Sequence, residues 1–189
     1  MQCSFSKICS GCDRIGQDYR SQLEDKVDSL KQDLASVYSG PIDLESVGES
    51  GLRHRLDFTF LRSEDGSFQL GLYSKDRSTV VDIDDCPALS GPLNEALQLF
   101  RDNPLPNPIK KGSIRLRASP AGRRGLWLDL ANVDVKFLFD EEHWLMEIMK
   151  NFVVEVGQRH KKLTYDGQRF RLNSPDPDPW FETYVGRDL

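Results

Sequence analysis

Only three histidines and four cysteines occur in these 189 residues. His54, His143 and His160 stand far apart, so the sequence contains no Ser/His/Asp set that can be argued from position. No apolar run approaches the length of a membrane span. Met1 leads into Gln-Cys-Ser-Phe-Ser-Lys, without the basic start and apolar stretch of a secretion signal. A cytoplasmic protein is therefore expected, and there clustered cysteines bind metal or do redox work more often than they form disulfides. The sequence has no internal repeat, no low-complexity tract, and no glycine-rich loop in a strand–turn–helix setting. No flavin or nicotinamide site is legible.

The cysteines that are present form one pattern. Cys3, Cys9 and Cys12 give C-x5-C-x2-C, and Cys86 follows after 73 residues in a Cys-Pro pair. Three thiols fall within ten residues and folding must bring in the fourth. That arrangement suits a closed four-thiolate cage, for zinc or for an iron–sulfur cluster. A cage made of Cys3, Cys9, Cys12 and Cys86 leaves no thiol for catalysis, and no catalytic residue is assigned.

Net charge is −5, which argues against an indiscriminate nucleic-acid binder, but the charge is segregated. Residues 110–124 hold six Lys or Arg and no acid. Residues 157–171 hold five basic residues against Asp166. The intervening 129–147 hold six acids against Lys136. A weakly acidic chain can still present a basic face; the alternative is two solvated hairpins. Lys110, Lys111, Arg115, Arg117, Arg123 and Arg124 would form one positive surface. Arg53 and Arg55, two apart, would form another on the polar side of a strand. Trp127, within Leu-Trp-Leu-Asp-Leu, reads as core, and so does His54. His143 reads as surface.

Periodicity predicts an α+β fold of mostly antiparallel sheet with flanking helices. After a cysteine loop at 1–16 comes a helix over 17–37, with Tyr19, Leu23, Val27, Leu30 and Leu34 on one stripe. Residues 52–60 alternate as a strand. Asp65-Gly66 turns the chain into a partner strand at 68–72, and 78–83 form a third strand leading to Cys86. Pro92 opens a helix over 92–101. The Pro-rich stretch 103–108 divides a 17–103 unit, carrying the fourth cysteine, from a 109–172 unit. In the latter, strands are expected at 113–119, 125–131, 133–139, 152–156 and 161–172, the last turning at Asp166-Gly167, with a helix over 141–151. Residues 173–189 form a tail.

Three stretches, CSFSKICSGCDRIGQDYRSQLEDK, GLRHRLDFTF and LGLYSKDRSTVVDIDDCPALSGPLNEAL, resemble the iron–sulfur branch of the RNA uracil-5-methyltransferases that make 5-methyluridine in ribosomal RNA. The family's Cys-Gly-Gly-Cys is Cys9-Ser10-Gly11-Cys12 here, and Leu52 stands where the family's basic strand has tyrosine. The match covers about residues 1–101; beyond it, only strand order and position are similar.

The resemblance implies a [4Fe–4S] cluster on Cys3, Cys9, Cys12 and Cys86 in a domain that contacts RNA, ribosomal RNA in particular, and favours phosphate contact by Arg53 and Arg55; Lys110, Lys111, Arg115 and Arg117 are expected to contact RNA from the clustering of charge alone. It also implies that a Rossmann-type domain with the S-adenosylmethionine site and catalytic cysteine is absent here, so that the chain alone would not methylate. The stripe at 17–37, which in the family faces that domain, would then be exposed or pair between two chains. The competing expectation is a stand-alone four-cysteine zinc or iron–sulfur module that binds RNA or another partner.

Overall fold

The structure, a computed structural model, describes residues 2–130, 133–157 and 161–174. Its frame is one eight-stranded sheet built from β1 (Arg55–Arg62), β2 (Phe68–Tyr73), β3 (Val80–Asp82), β4 (Lys111–Ala118), β5 (Arg124–Asp129), β6 (Val153–Val156), β7 (Lys161–Tyr165) and β8 (Phe170–Asn173). The spatial order is β3-β2-β1-β4-β5-β6-β7-β8. Every neighbouring pair is antiparallel except β5 and β6. A parallel neighbour needs a crossover, and residues between Leu130 and Phe152 supply it. The α+β class and its mostly antiparallel sheet are as the alternating pattern indicated.

Period two explains which side of the sheet is buried. Phe58, Phe60, Leu70, Ile114, Leu116, Leu126, Leu128, Val154, Val156 and Leu163 are all buried and fall on the same face in the strand register. Helix α2 (Gly91–Asp102) covers part of that face with Leu93, Ala96, Leu97 and Phe100, at the three- and four-residue steps a helix requires. Pro92 lies in its first turn, where a missing amide hydrogen costs nothing. Helix α3 (Glu142–Asn151) adds Leu145 and Ile148. Phe100 has no exposed surface, so its truncation to alanine would cost about 3–5 kcal/mol.

The turns are those the sequence signalled. Gly66 and Gly167 take φ of 89° and 91°, a region open to glycine without a Cβ clash. At the first of these turns, Asp65 Oδ1 accepts hydrogen bonds from Ser67 N and Oγ at 2.9 and 2.7 Å.

Three expectations change. Residues 133–139 are not a strand: Val135–Asp140 form a 3-10 helix. Asp134 Oδ1 accepts from Lys136 N at 3.0 Å, and Val135 and Leu138, three apart, are the buried pair. The apolar alternation there serves a three-residue turn, not a pleat. Second, the alternating segment 52–60 enters the sheet only at Arg55. Residue Arg53 pairs instead with Leu89 in an isolated parallel bridge. Third, the 103–108 stretch lies within the frame. It buries Leu105 and joins α2 to β4, which pairs directly with β1.

Helix α1 (Tyr19–Leu34) lies outside this core and has no buried residue. Asp18 caps it, its carboxylate accepting from Ser21 N at 3.1 Å. Leu30 is exposed. His143 is at the surface, as expected, and His160 lies outside the described residues, as does most of the 173–189 tail. No helix among the described residues is long and apolar enough to cross a membrane.

Candidate cysteine centre and nucleic-acid face

The cysteine loop is a chain of tight turns docked on the end of β2. Ser6 N donates to Cys3 O at 3.2 Å and Cys9 N to Phe5 O at 2.8 Å. Cys9 bridges to Ser74 in antiparallel fashion. Lys75 N donates to Ile8 O at 2.8 Å, and Lys75 Nζ reaches Ser6 O at 2.8 Å. The loop thus gains order by borrowing the free edge beyond β2, since it has few aliphatic side chains of its own.

That docking brings the four predicted thiols together. Cys3, Cys9, Cys12 and Cys86 line one small cavity with Phe5, Ile15, Leu72, Ile83 and Arg53 among its other walls. All four are free thiols and all are half-buried. Gly11 N donates to Cys9 Sγ at 3.3 Å, the kind of amide contact that stabilises charge on sulfur. A Cβ at Gly11 would lie 2.7 Å from Leu72 Cδ1, which would have to give way, and 3.4 Å from Cys9 Sγ. Burial pushes the Cys86 thiol up, and the charges of Cys12 and Cys3 push the same way, against amide hydrogen bonds from Ala88 and Leu89. Among the described residues, no three Cys, His, Asp or Glu side chains are placed as ligands of a single metal ion. The four thiols that line the cavity share one donor chemistry.

Residues with no metal-ligand signature hold Cys86 in place. Cys86 N donates to Asn94 Oδ1 at 3.3 Å, and Asn94 Nδ2 donates back to Cys86 O at 3.2 Å. Asn94 sits in the first turn of α2, so the helix anchors the fourth thiol. Its position eight residues after Cys86, just past the Pro92 helix start, was the available clue. Gly51 N donates to Pro87 O and Arg53 N to Ala88 O, each at 2.9 Å. Arg53 Nη2 then donates to Gly11 O at 2.8 Å. Arg53 does not share a polar strand face with Arg55, because it precedes β1 and turns into the cysteine cavity.

The sheet face opposite the helices is polar and basic. One row of cross-strand partners runs Asp57, Arg115, Trp127, Glu155, Lys162 and Asn173, and Arg55 stands beside Arg117. Lys111 and Ser113 continue the same side of β4 and are exposed. Lys110 is exposed at the start of β4. Arg55 Nη2 lies 3.0 Å from Asp57 Oδ2. Arg115 grips the same carboxylate with Nε and with Nη2, the latter at 3.1 Å. Burial alone would raise the Asp57 carboxyl, but Arg115 and Arg55 outweigh it and hold it below the usual range. Burial lowers Arg117, and Arg115 and Arg55 push the same way, opposed by Glu155 and Asp57.

Two sequence expectations on this face are corrected. Trp127 is not core. Leu126 and Leu128 are buried on the helix side, so Trp127 must face the other way, where Arg115 lies over its ring at 4.5 Å from the centroid. The period-two count contained that answer. Arg124 is not part of the basic surface; it turns to the helix side and pairs with Glu95 at 2.8 Å.

The chain has relatives among curated proteins. The chain is 39% identical over 186 residues to an uncharacterized RNA methyltransferase of Bdellovibrio bacteriovorus, taking in 97% of this chain and 46% of that protein. It is 30% identical over 90 residues to a tRNA/tmRNA (uracil-C(5))-methyltransferase of Sulfurimonas denitrificans, covering 48% of this chain and 24% of that one. A further match, 31% over 115 residues, is to an uncharacterized RNA methyltransferase of Enterococcus faecalis, covering 55% and 25%. The chain spans less than half the length of these curated relatives. No protein-family profile matches it.

Proposed function

We propose that this chain is the cysteine-bearing, RNA-contacting portion of an S-adenosylmethionine-dependent RNA (uracil-5-)-methyltransferase. The observation that carries the reading is the alignment of nearly the whole chain, at 39% identity, with a protein named an RNA methyltransferase. The cavity shared by Cys3, Cys9, Cys12 and Cys86 supports a [4Fe–4S] cluster as the bound group, with zinc as the competing occupant. When bound, the group would crosslink the loop to the segment before α2 and supply folding energy. Around it, Gly11 N donates to the Cys9 sulfur, Asn94 orients the Cys86 backbone, and Arg53 ties the loop to the sheet.

Arg55, Lys110, Lys111, Arg115 and Arg117 supply positive charge for phosphate contacts, which orient an RNA without reading its sequence. Arg53 is the sixth basic residue assigned to this role, and its bond to Gly11 O makes it the one nearest the cysteines. Ribosomal RNA is the proposed substrate; a relative named for tRNA and tmRNA makes those the competing class. The methyl transfer itself belongs to the catalytic domain of the longer protein. Pairing of two chains through the exposed stripe of α1 is part of the proposal, and a mass that stays monomeric over a wide concentration range removes it.

The test is anaerobic purification, then visible absorption with iron, sulfide and zinc analysis on one sample. A brown protein with matching iron and sulfide supports the reading. A colourless protein with stoichiometric zinc favours a stand-alone four-cysteine module.

A further inference from the structure

The open face of the sheet carries a depression that none of the predicted site residues except Asp57's arginine partners adjoin. It has a volume of about 620 Å³ and is lined by Ser10, Asp57, Thr59, Leu72, Tyr73 and Arg77. That volume falls in the range of small-ligand clefts, roughly 300–1,000 Å³.

Each wall has a structural cause. Thr59 stands opposite Gly71 in the β1–β2 register, so period two places Tyr73 beside Asp57 on the open side. Ser10 belongs to the cysteine loop, and its N and Oγ both donate to Tyr73 O, at 3.2 and 2.7 Å. Arg77 lies in the turn between β2 and β3. Its φ is 60°, a left-handed conformation that non-glycine residues adopt at a cost. The turn is enforced by Asp76, whose carboxylate accepts from Ser74 Oγ at 2.5 Å, Ser78 N at 3.1 Å and Ser78 Oγ at 2.8 Å.

Two of the groups are unused by the protein. Tyr73 is 41% exposed. Among the described residues, neither its hydroxyl nor the Arg77 guanidinium makes a hydrogen bond or ion pair with another side chain. The one acid present, Asp57, is already neutralised by Arg55 and Arg115. Among the described residues the depression therefore offers an aromatic wall, a free cation, the Thr59 hydroxyl and a positive surround. That set matches a nucleotide: π-face for the base, guanidinium for the phosphate. A base already stacked within a duplex could not reach the tyrosine ring.

We propose that this depression seats one unpaired nucleotide of single-stranded RNA, its base stacked on Tyr73 and its phosphate held by Arg77. The inference rests on the reading of the chain as RNA-contacting and adds the form of RNA taken and the residues that take it.

The experiment measures binding of the full chain, purified anaerobically, to a short labelled oligouridylate and to an A-form RNA duplex by fluorescence anisotropy. Tyr73→Ala should weaken the single strand about tenfold, the loss of one base stack, whereas Tyr73→Phe and Tyr73→Trp should bind as wild type. Arg77→Ala should weaken it and make the salt dependence shallower by about 0.7 in the log–log slope. Thermal melts show whether the variants stay folded. If folded Tyr73→Ala and Arg77→Ala bind as wild type while Arg55→Ala and Arg117→Ala weaken binding, the nucleotide seat is refuted and the RNA-contacting face stands. If the duplex binds as tightly as the single strand, the seat is refuted as well. If the wild-type chain binds neither RNA even at low salt, the RNA-contacting reading itself falls.

Discussion

Arg53 Nη2 donates a hydrogen bond to the carbonyl oxygen of Gly11 at 2.8 Å, across 42 residues of sequence. Gly11 lies between Cys9 and Cys12, and the Arg53 backbone pairs with the segment that follows Cys86. One residue thus holds both halves of the thiol set. Arg53→Ala should lower stability by about 2 kcal/mol, as loss of a charged, half-buried hydrogen bond does, and should lower metal content. Arg55→Ala should do neither. Paired thermal melts and metal analysis check this; equal behaviour of the two variants would refute the clamp.

Cys12→Ala and Cys86→Ala remove thiols from opposite sides of the cavity. Each should abolish the bound group and melt the cysteine loop, because metal ligation and folding are one free energy here. Retention of full metal content and melting temperature by either would mean that the shared cage is wrong.

Removal of the bound group should reach the open face too. Ser10 is one wall of the depression and stands between Cys9 and Gly11. Chelation, or oxidation of the thiols, is therefore expected to weaken oligouridylate binding even though no basic residue is lost. Titration of the same preparation before and after chelation reads this directly.

A Cβ at Gly71 would collide with the carbonyl of Val81 on the neighbouring strand. The obstacle is backbone, so β3 would have to move, and β3 leads to Cys86. Gly71→Ala should cost about 3 kcal/mol and also lower metal content, although position 71 touches no cysteine. Denaturant unfolding gives the first quantity and elemental analysis the second.

Arg101 grips Asp82 with two hydrogen bonds, 2.8 and 2.9 Å long, and Leu70 N donates to the same carboxylate at 2.8 Å. Burial would raise the Asp82 carboxyl, but the Arg101 hydrogen bond, the amide and the Arg101 charge outweigh it and lower it from its ordinary 3.8. A depressed carboxylate contributes stability that is fully present above 3.8 and is lost as pH falls through the lower folded value. Wild type should therefore lose stability more steeply than Asp82→Asn on acidification below 3.8. Parallel acid-unfolding curves would contradict this.

Local chemistry was legible without a fold. The spacing of Cys3, Cys9, Cys12 and Cys86 singled them out as a set, and the structure places all four on one cavity. Alternation over 52–60 named the buried face of that strand, because burial on one side imposes its period on the residues that share it, and Pro92 marked the start of the helix whose Leu93, Ala96, Leu97 and Phe100 the structure buries. The same reasoning failed at 133–139, where an apolar alternation met an Asp134 cap and became a 3-10 turn. It failed at Trp127 because hydrophobic flanks were weighed above the period-two count. What only the tertiary structure decided are the relations between residues distant in the chain. These are Arg53 against Gly11, Asn94 against Cys86, and Tyr73 and Arg77 beside Asp57 and Thr59. Such contacts are set by strand order and by how the loops close over the sheet edges, and no local period encodes them.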